Sequence, residues 1–325
     1  MKVAVTGSSG LIGTALTASL RADGHQVVRL VRRPPRGGGE VAGDRASDEV
    51  RWDPRAADAG DPPLSGVDAV VNLAGAPVAG HRWTSSYKAE IRASRVVATR
   101  ALAEALAAAA PRPRTYLVAS AIGWYGDTGG REVTEDVPAG KAYLSRVVND
   151  WEAAADPARA AGIRVVHLRS GLVLGAGGGV LARLAPLARL GLLPRFGDGH
   201  QVMSWISLTD EIRAIRFLLD GPDAAGRGGS YNLTAPNPVT DDELTAALHA
   251  AFRRPDFRWL RVPAPLLRLG LGEMSSELLT SARVLPRRLL EAGFEFGYPT
   301  ISAALAGELP TVGAGRSHAS VRSDG

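Results

Sequence analysis

The 325-residue chain is too long for one small module and suits a single large α/β domain with an appended lobe. Apolar residues make up 45% and charged residues 22%, an ordinary globular composition, and the absence of Cys removes disulfide frameworks, thiolate metal sites and a Cys nucleophile at once. The net charge of +5 invites a nucleic-acid reading, but the basic residues are scattered in pairs such as Arg32-Arg33, Arg253-Arg254 and Arg287-Arg288, without a long run or an aromatic-interleaved stripe, so no nucleic-acid partner is expected.

The chain opens directly on a strand-like segment, which predicts no signal peptide and a cytoplasmic location. No run of about 18 uncharged apolar residues calls for a membrane span. Lys2–Thr6 is a short apolar run ending in glycines, the pattern of a buried strand. Leu11–Ala22 carries apolar residues at helical spacing, with Gly24 just beyond as a stop. Gln26–Val31 is a second strand; residues 34–47, rich in Gly, Pro and charge, predict a mobile loop; 49–52 is a weak strand and 68–73 a strong one. Residues 85–110 form a long helix ended by Pro111 and Pro113, followed by strand 115–119, helix 141–161 and strand 163–168. Strands alternating with helices of this length predict right-handed βαβ units, hence an α/β fold with a doubly wound parallel sheet covered on both faces.

After Arg169 the pattern loosens. Residues 175–179 and 193–199 are Gly-rich loops, 210–219 a helix, 230–233 a short strand, and 241–252 a helix with Thr240 as its N-cap. From about residue 258, prolines break the chain into short helices. The expected organisation is a nucleotide-binding domain over 1–170, a smaller C-terminal α+β substrate lobe over mainly 171–310 that returns segments to the sheet, and a disordered tail over 311–325.

The most informative residues are Gly7, Ser8, Ser9, Gly10, Leu11, Ile12 and Gly13, a GxxGxxG pattern between a strand and a helix. Gly7 would allow a tight turn, Gly10 the approach of the backbone to a pyrophosphate, and Gly13 close helix–strand packing. The helix N-terminus offers free N–H groups and a positive dipole end to the phosphates. An acid at the end of the second strand would bind a ribose 2′-hydroxyl and repel a 2′-phosphate. Here Arg32 and Arg33 stand instead, and guanidinium groups pair with phosphate, so NADP(H) is favoured and NAD(H) remains the alternative. Asn72, Leu73, Ala74 and Gly75 follow the strong central strand, and their small residues would permit close approach of the adenosine half.

The segments GSSGLIG, NLAGAPVAGHRW, SAIGWYGD, LRSGLVLGAGGG and SWISLTDE resemble, in this order, the extended short-chain dehydrogenase/reductase superfamily, and specifically an atypical branch described as sugar-nucleotide epimerase-like. The late stretch LPRRLLEAGFEF is similar to that branch's C-terminal region, so the resemblance spans roughly residues 1–308. It implies a Rossmann-like domain, NADP(H) binding and a substrate lobe at the carboxyl edge of the sheet.

Ordinary members of that superfamily carry a Tyr and, four residues later on the same helical face, a Lys that lowers the Tyr pKa for proton exchange with substrate. Here Val147 stands four residues after Tyr143 and Arg146 three after; Lys141 precedes it. Arg146 would be able to supply the charge. The resemblance implies an aromatic but not phenolic residue at position 143, which favours packing for Tyr143. The candidate catalytic residues are therefore Ser120, at the end of strand 115–119, with Tyr125 and Tyr143 as alternative phenols. Arg95 on the long helix is a candidate phosphate contact, and Arg169 and Gly171, after a strand end, would line the nicotinamide pocket largely through backbone. Arg82, Trp83, Gly197, Gln201, Ser204 and Trp205 are candidates for the cleft or its substrate side. The six His residues show no metal-ligand spacing, and His81 is expected to be a solvated loop residue, so no metal site is expected. Two functions follow: an NADP(H)-dependent oxidoreductase or epimerase-like enzyme acting on a small carbonyl or hydroxyl substrate, or a catalytically weak NADP(H)-binding regulator. A homodimer is the expectation by analogy with the superfamily.

Overall fold

The computed structural model describes residues 1–34, 48–56, 64, 66–221, 223–257 and 259–309. The loop expected at 34–47 and the tail expected at 311–325 lie, but for Pro34, outside the described residues. Seven parallel strands form the central sheet: β1 Lys2–Thr6, β2 Gln26–Val31, β3 Glu49–Arg51, β4 Ala69–Asn72, β5 Thr115–Ala121, β6 Arg164–Ser170 and β7 Gly229–Leu233. Their spatial order is 3-2-1-4-5-6-7. The order reverses between β1 and β4, and that switch point is where open α/β sheets leave a crevice at the carboxyl ends of their strands.

Alternate residues of each strand feed opposite faces of the sheet. Val3, Val5, Val71, Leu117, Val166 and Leu168 pack against Leu16 and Leu20 of α1 (Leu11–Ala22). Ala4, Val70, Tyr116, Val118 and Val165 pack on the other side, against Leu102 and Leu106 of α2 (Ser85–Ala108) and Trp151 of α3 (Tyr143–Ala153). Burial of both faces explains why these strands read as nearly continuous apolar runs. The Thr84 hydroxyl caps α2 by accepting from the Tyr87 N–H at 3.1 Å.

Helix 141–161 of the sequence reading is two helices. α3 ends at Ala153, and α4 (Asp156–Ala160) restarts with a Pro in its first turn, where the missing N–H costs nothing. Strand 115–119 runs on to Ala121, and strand 163–168 runs from Arg164 to Ser170, so Ser120 and Arg169 lie within strands, paired in register with each other. The glycine-rich stretch 193–199 contains a short strand, Arg195–Phe196, paired with Arg261–Val262.

The C-terminal half adds α5 (Leu181–Arg189), α6 (Leu208–Leu219), α7 (Asp241–Ala251), α8 (Ala264–Leu271), α9 (Ser275–Leu279), α10 (Arg287–Glu291) and α11 (Ile301–Glu308). α6 covers the sheet beside α1, whereas Leu181, Trp205, Leu244, Leu248 and Leu305 form a separate core. Thr240 caps α7 with a full capping box to Glu243.

Candidate functional site

At the carboxyl end of β1 the backbone turns through Gly7 at φ +64°, and a Cβ there would stand 2.5 Å from the Leu73 carbonyl oxygen. Gly13, in the first turn of α1, lies so close beneath the loop that a Cβ would collide with the Gly7 carbonyl and stand 2.7 Å from the Ser8 Cα. Gly10 is different. Its backbone is extended (φ −79°), and its Cβ would meet only the Gly7 carbonyl oxygen, at 3.3 Å. The backbone itself demands Gly at 7 and 13, while Gly10 faces open space. α1 starts with no side-chain cap, so its first-turn amides and positive dipole end are directed at that space. On the other side, a Cβ on Gly178 or Gly179 would meet the Leu11 side chain at 3.6 or 3.2 Å, which brings the second glycine loop onto the start of α1.

A cleft of about 690 Å³ runs from this turn across the ends of β2, β3 and β4. Its walls include Gly7, Ser8, Ser9 and Gly10, then Arg32 and Arg33, Trp52 to Arg55, and Leu73, Ala74 and Gly75, closed by Glu90 and Ser94 of α2. Leu11, Ile12 and Gly13 stand behind the rim, at the head of α1. The two arginines differ in their engagement. Arg33 donates to Glu49 at 2.7 Å, and the same buried carboxylate pairs with Arg29 at 2.8 Å, whose Nε donates to the Ser8 hydroxyl at 3.2 Å. Arg32 is exposed on the cleft wall and bonds to no other described residue.

Asn72 does not reach the cleft. Fully buried, its side-chain oxygen accepts from the Thr6 hydroxyl (2.6 Å) and the Ala74 N–H (3.3 Å), and its amide donates to Thr99 (2.8 Å) and Tyr116 (3.2 Å). It therefore shapes the segment that lines the cleft from beneath. Arg95 lies against Gly75, whose Cβ would stand 3.2 Å from the guanidinium carbon. Burial lowers its pKa, opposed by the Tyr143 and Tyr87 phenols; its NH1 donates to the Ile91 carbonyl and its guanidinium stacks over Trp151.

A dinucleotide fits this donor set. A cradle that a Cβ at 7 or 13 would destroy, uncapped amides for a pyrophosphate, an apolar slot beside Trp52 and, at the end of β2, a guanidinium bonded to no other described residue are the groups such a ligand uses.

Ser120, Tyr125 and Arg169 come together, but in a buried network. Arg169 makes a bidentate pair with Glu152 of α3 (2.8 and 2.9 Å), and Ser120 donates to the same carboxylate at 2.6 Å. Arg169 also donates to the Tyr125 hydroxyl (3.2 Å), which in turn donates to the Asn232 side-chain oxygen (2.7 Å), and the guanidinium lies 3.9 Å from the Trp124 ring centroid. Burial acts to raise the Glu152 pKa, but the Arg169 hydrogen bonds, the charges of His167 and Arg169 and the Ser120 hydroxyl hold it below the usual carboxylate value. Burial raises the Tyr125 pKa against the opposing pull of Arg169. The expectation that Arg169 acts through its backbone misses this: its side chain is what the core uses.

Tyr143 lies elsewhere. Its hydroxyl donates to the Lys88 carbonyl at 2.6 Å, its ring meets Trp83 edge-on at 5.4 Å, and the Lys88 ammonium lies 4.8 Å from its centroid. Burial raises its pKa, opposed by Lys88, Arg95 and Arg92. Arg146 bonds the Lys141 carbonyl, so the charges beside the phenol come from α2 and not from its own helix. Gly171 is held against Ser204, whose carbonyl oxygen a Cβ would meet at 2.6 Å.

The remaining substrate-side candidates mostly fasten segments together. Ser204 bridges Ala282 and Val284, Gln201 donates to the Phe196 and Leu278 carbonyls, buried Trp205 donates to Asn237, and Gly197 makes a left-handed turn at φ +63°. Arg82 donates to the Leu269 carbonyl, Trp83 to the Val78 carbonyl, and His81 meets the Tyr87 ring edge-on. The sequence reading missed Glu152, Glu211 and the cleft wall from Trp52 to Arg55. Glu152 was legible: it shares the apolar face of α3 with Val148 and Trp151, where a charge needs a buried partner. The segment 52–55 carries no periodicity that would have marked it.

Glu211, in the first turn of α6, accepts from the Ser170 hydroxyl at 2.6 Å. Burial, only partly offset by that bond, pushes its pKa up to about 8. A raised carboxyl pKa contributes stability that is complete below about pH 4.5 and lost as pH rises through about 8. The melting temperature of Glu211→Gln, followed from pH 5 to 9, is expected to fall less with pH than that of the wild type; parallel curves would contradict the buried neutral carboxyl.

Residues 3–234 match the model of the NAD dependent epimerase/dehydratase family, and residues 262–307 match a Domain of unknown function (DUF1731). The chain is 44% identical over 304 residues to the Epimerase family protein Mb2239 of Mycobacterium bovis, covering 93% of this chain and 96% of that protein. Among solved structures, human epimerase family protein SDR39U1 (isoform2) with NADPH superposes with a TM-score of 0.83 at 32% identity, covering 95% of this chain and 99% of that one. A nucleoside-diphosphate sugar epimerase from Corynebacterium glutamicum gives a TM-score of 0.75 at 35% identity, covering 95% of this chain and 58% of that one.

Proposed function

The chain belongs to the NAD dependent epimerase/dehydratase family, and on that premise we propose that it binds NADP(H) in the cleft at the first glycine turn and acts in the cytoplasm as an oxidoreductase or epimerase-like enzyme on a small carbonyl or hydroxyl substrate, with sugar nucleotides as one such class. The observation that carries the proposal is the Gly7–Gly13 cradle at the uncapped start of α1. Leu11 and Ile12 hold the pyrophosphate through their amides, and Gly10 lets it approach. Arg32 pairs with the 2′-phosphate, while Glu49 holds Arg33 beside it. The NADPH carried by SDR39U1 supports this preference, and NAD(H) would use the same cradle without engaging Arg32. The nicotinamide, when bound, supplies or accepts the hydride. Of the three side chains considered for the proton, Tyr143 is the one outside the Glu152–Arg169 network, and Lys88 and Arg95 supply the cations beside it.

A second reading, a catalytically weak NADP(H)-binding regulator, is favoured by two observations: Ser120 and Tyr125 are already bonded within that network, and no Lys follows Tyr143 at the fourth residue. Hydride exchange with a panel of carbonyl compounds separates the two. Turnover that falls in Tyr143→Phe supports the enzyme. Tight NADPH binding without turnover, indifferent to Tyr143→Phe and Tyr125→Phe, supports the regulator.

Arg32→Ala is expected to weaken NADP binding by about 10- to 100-fold, the equivalent of one charge-assisted hydrogen bond, with little effect on NAD. Titrations with both nucleotides check this, and equal losses would remove the preference.

A further inference from the structure

Seven of the ten large apolar side chains exposed among the described residues fall between residues 187 and 269, in the C-terminal half of the chain. Trp259 is 78% exposed, Leu269 77% and Leu190 68%, and Leu192, Phe257 and Leu266 are exposed as well. The fold draws the first of these together. Arg195–Phe196 pairs with Arg261–Val262, the Arg254 side chain donates to the Arg189 carbonyl at 2.6 Å, and a Cβ on Gly191 would stand 3.9 Å from that of Arg254. Leu190 and Leu192 therefore run beside Phe257 and Trp259, whose rings are 6.0 Å apart. α8 follows directly, burying Leu267 and presenting Leu266 and Leu269, three residues apart, on its outer side.

The rim of this face is cationic. Arg189, Arg253, Arg254 and Arg268 are all exposed; Arg261, also exposed, is paired with Asp242 at 3.4 Å, and the nearby Asp256 is committed to Arg195 at 2.7 Å and His249 at 3.3 Å. A soluble monomer rarely keeps so much apolar surface in one place without a use for it. The occupant must offer apolar groups at the centre and negative charge around them. A second copy of the chain offers the opposite, because a two-fold contact through this face would set the arginines against their own duplicates. A bilayer with acidic lipids offers both: acyl chains for the leucines, a headgroup boundary for the Trp259 indole, and phosphates for arginines whose stems lie along the apolar surface. Among the described residues no helix is long and apolar enough to cross a membrane, so contact is confined to the surface.

We propose that the face formed by Leu190, Leu192, Phe257, Trp259 and the outer side of α8 docks on an anionic membrane surface. None of these side chains lines the cofactor cleft, so the two proposals stand or fall separately. The test is flotation of the full chain with vesicles of phosphatidylcholine alone and of phosphatidylcholine mixed with phosphatidylglycerol. The expected result is flotation with the mixed vesicles at low salt, loss at high salt, and little flotation with phosphatidylcholine alone. Trp259→Ser combined with Leu269→Ser should abolish it. Arg253→Asn combined with Arg268→Gln should weaken it by at least about tenfold, since each arginine near an anionic surface is worth about fivefold; Asn tolerates the left-handed backbone at position 253 (φ 54°). All substitutions are on exposed side chains, and an unchanged thermal melt confirms that each variant is folded. Absence of flotation with the mixed vesicles overturns the proposal. So does flotation indifferent to Trp259→Ser, or self-association that Trp259→Ser removes, which would give the face to a second copy.

Discussion

Gly10→Val is expected to raise the Kd for NADPH by at least about 100-fold, roughly two charge-assisted contacts to phosphate, while the melting temperature stays within a few degrees of the wild type. The two halves of that result come from separate features. Position 10 has an extended backbone that any L-residue adopts, and its Cβ direction is open apart from the Gly7 carbonyl oxygen at 3.3 Å, so the chain tolerates the side chain. The isopropyl group then occupies the space in front of the first-turn amides of α1, where a pyrophosphate would sit. Gly7 and Gly13 give the contrasting outcome. A Cβ at either runs into backbone, at Leu73 or at Gly7 and Ser8, and backbone cannot move aside as a flexible side chain does, so those variants should lose fold and binding together. Thermal melts beside calorimetric titrations check both. A Gly10→Val protein with wild-type affinity would show that the cleft at the first turn is not the cofactor site.

The second large effect concerns the buried network. Arg169→Leu is expected to cost about 3–5 kcal/mol of stability, because it leaves the Glu152 carboxylate buried without its bidentate partner. The Glu152→Gln, Arg169→Leu double variant should recover a good part of this loss, since it buries no unpaired charge. Denaturant unfolding of the two singles and the double measures the coupling. The loss should also lessen the acid sensitivity of this region, because burial pulls the His167 pKa down to about 4, opposed by Glu152 and reinforced by Arg159 and Arg169, and removing the Arg169 cation lets it rise back toward its ordinary value while acid neutralises the unpaired Glu152 carboxylate. A histidine with a lowered pKa contributes stability that is present above its ordinary value near 6.5 and is lost as pH falls through about 4. If Arg169→Leu were as stable as the wild type but lost NADPH affinity, the arginine would belong to the ligand and not to the core.

The doubly wound sheet was legible because each of its strands leaves a pattern. Ala69–Asn72 is buried on both faces and begins as an unbroken apolar run, Ala69 to Val71, and Leu11–Ala22 has a four-residue apolar repeat and a glycine beyond its end. The first glycine turn was legible for the same reason, since its meaning comes from the strand before it and the helix after it. Boundaries were less so: Ser120 and Ala121 continue β5 because they pair with Arg169 and Ser170, and nothing in their own sequence says so. The candidate site was legible only in part. Position along a strand suggested Ser120 as a contact at the sheet edge, but its side chain turns toward α3 with those of Tyr116 and Val118, where Glu152 waits. Asn72 looked like part of the lining because its neighbours are; alternation sends it the other way. Lys88 and Tyr143 are 55 residues apart, and their contact depends on how α2 and α3 pack, which no local spacing encodes.

Solving the protein with NADPH soaked into crystals is the most direct test of where the cofactor sits. The expected map has the pyrophosphate against the amides of Leu11 and Ile12, the adenine beside Trp52, and the 2′-phosphate within hydrogen-bond distance of the Arg32 guanidinium. Density for the nucleotide anywhere else, or none at concentrations that saturate the solution titration, would contradict the cradle at the first glycine turn as its binding site.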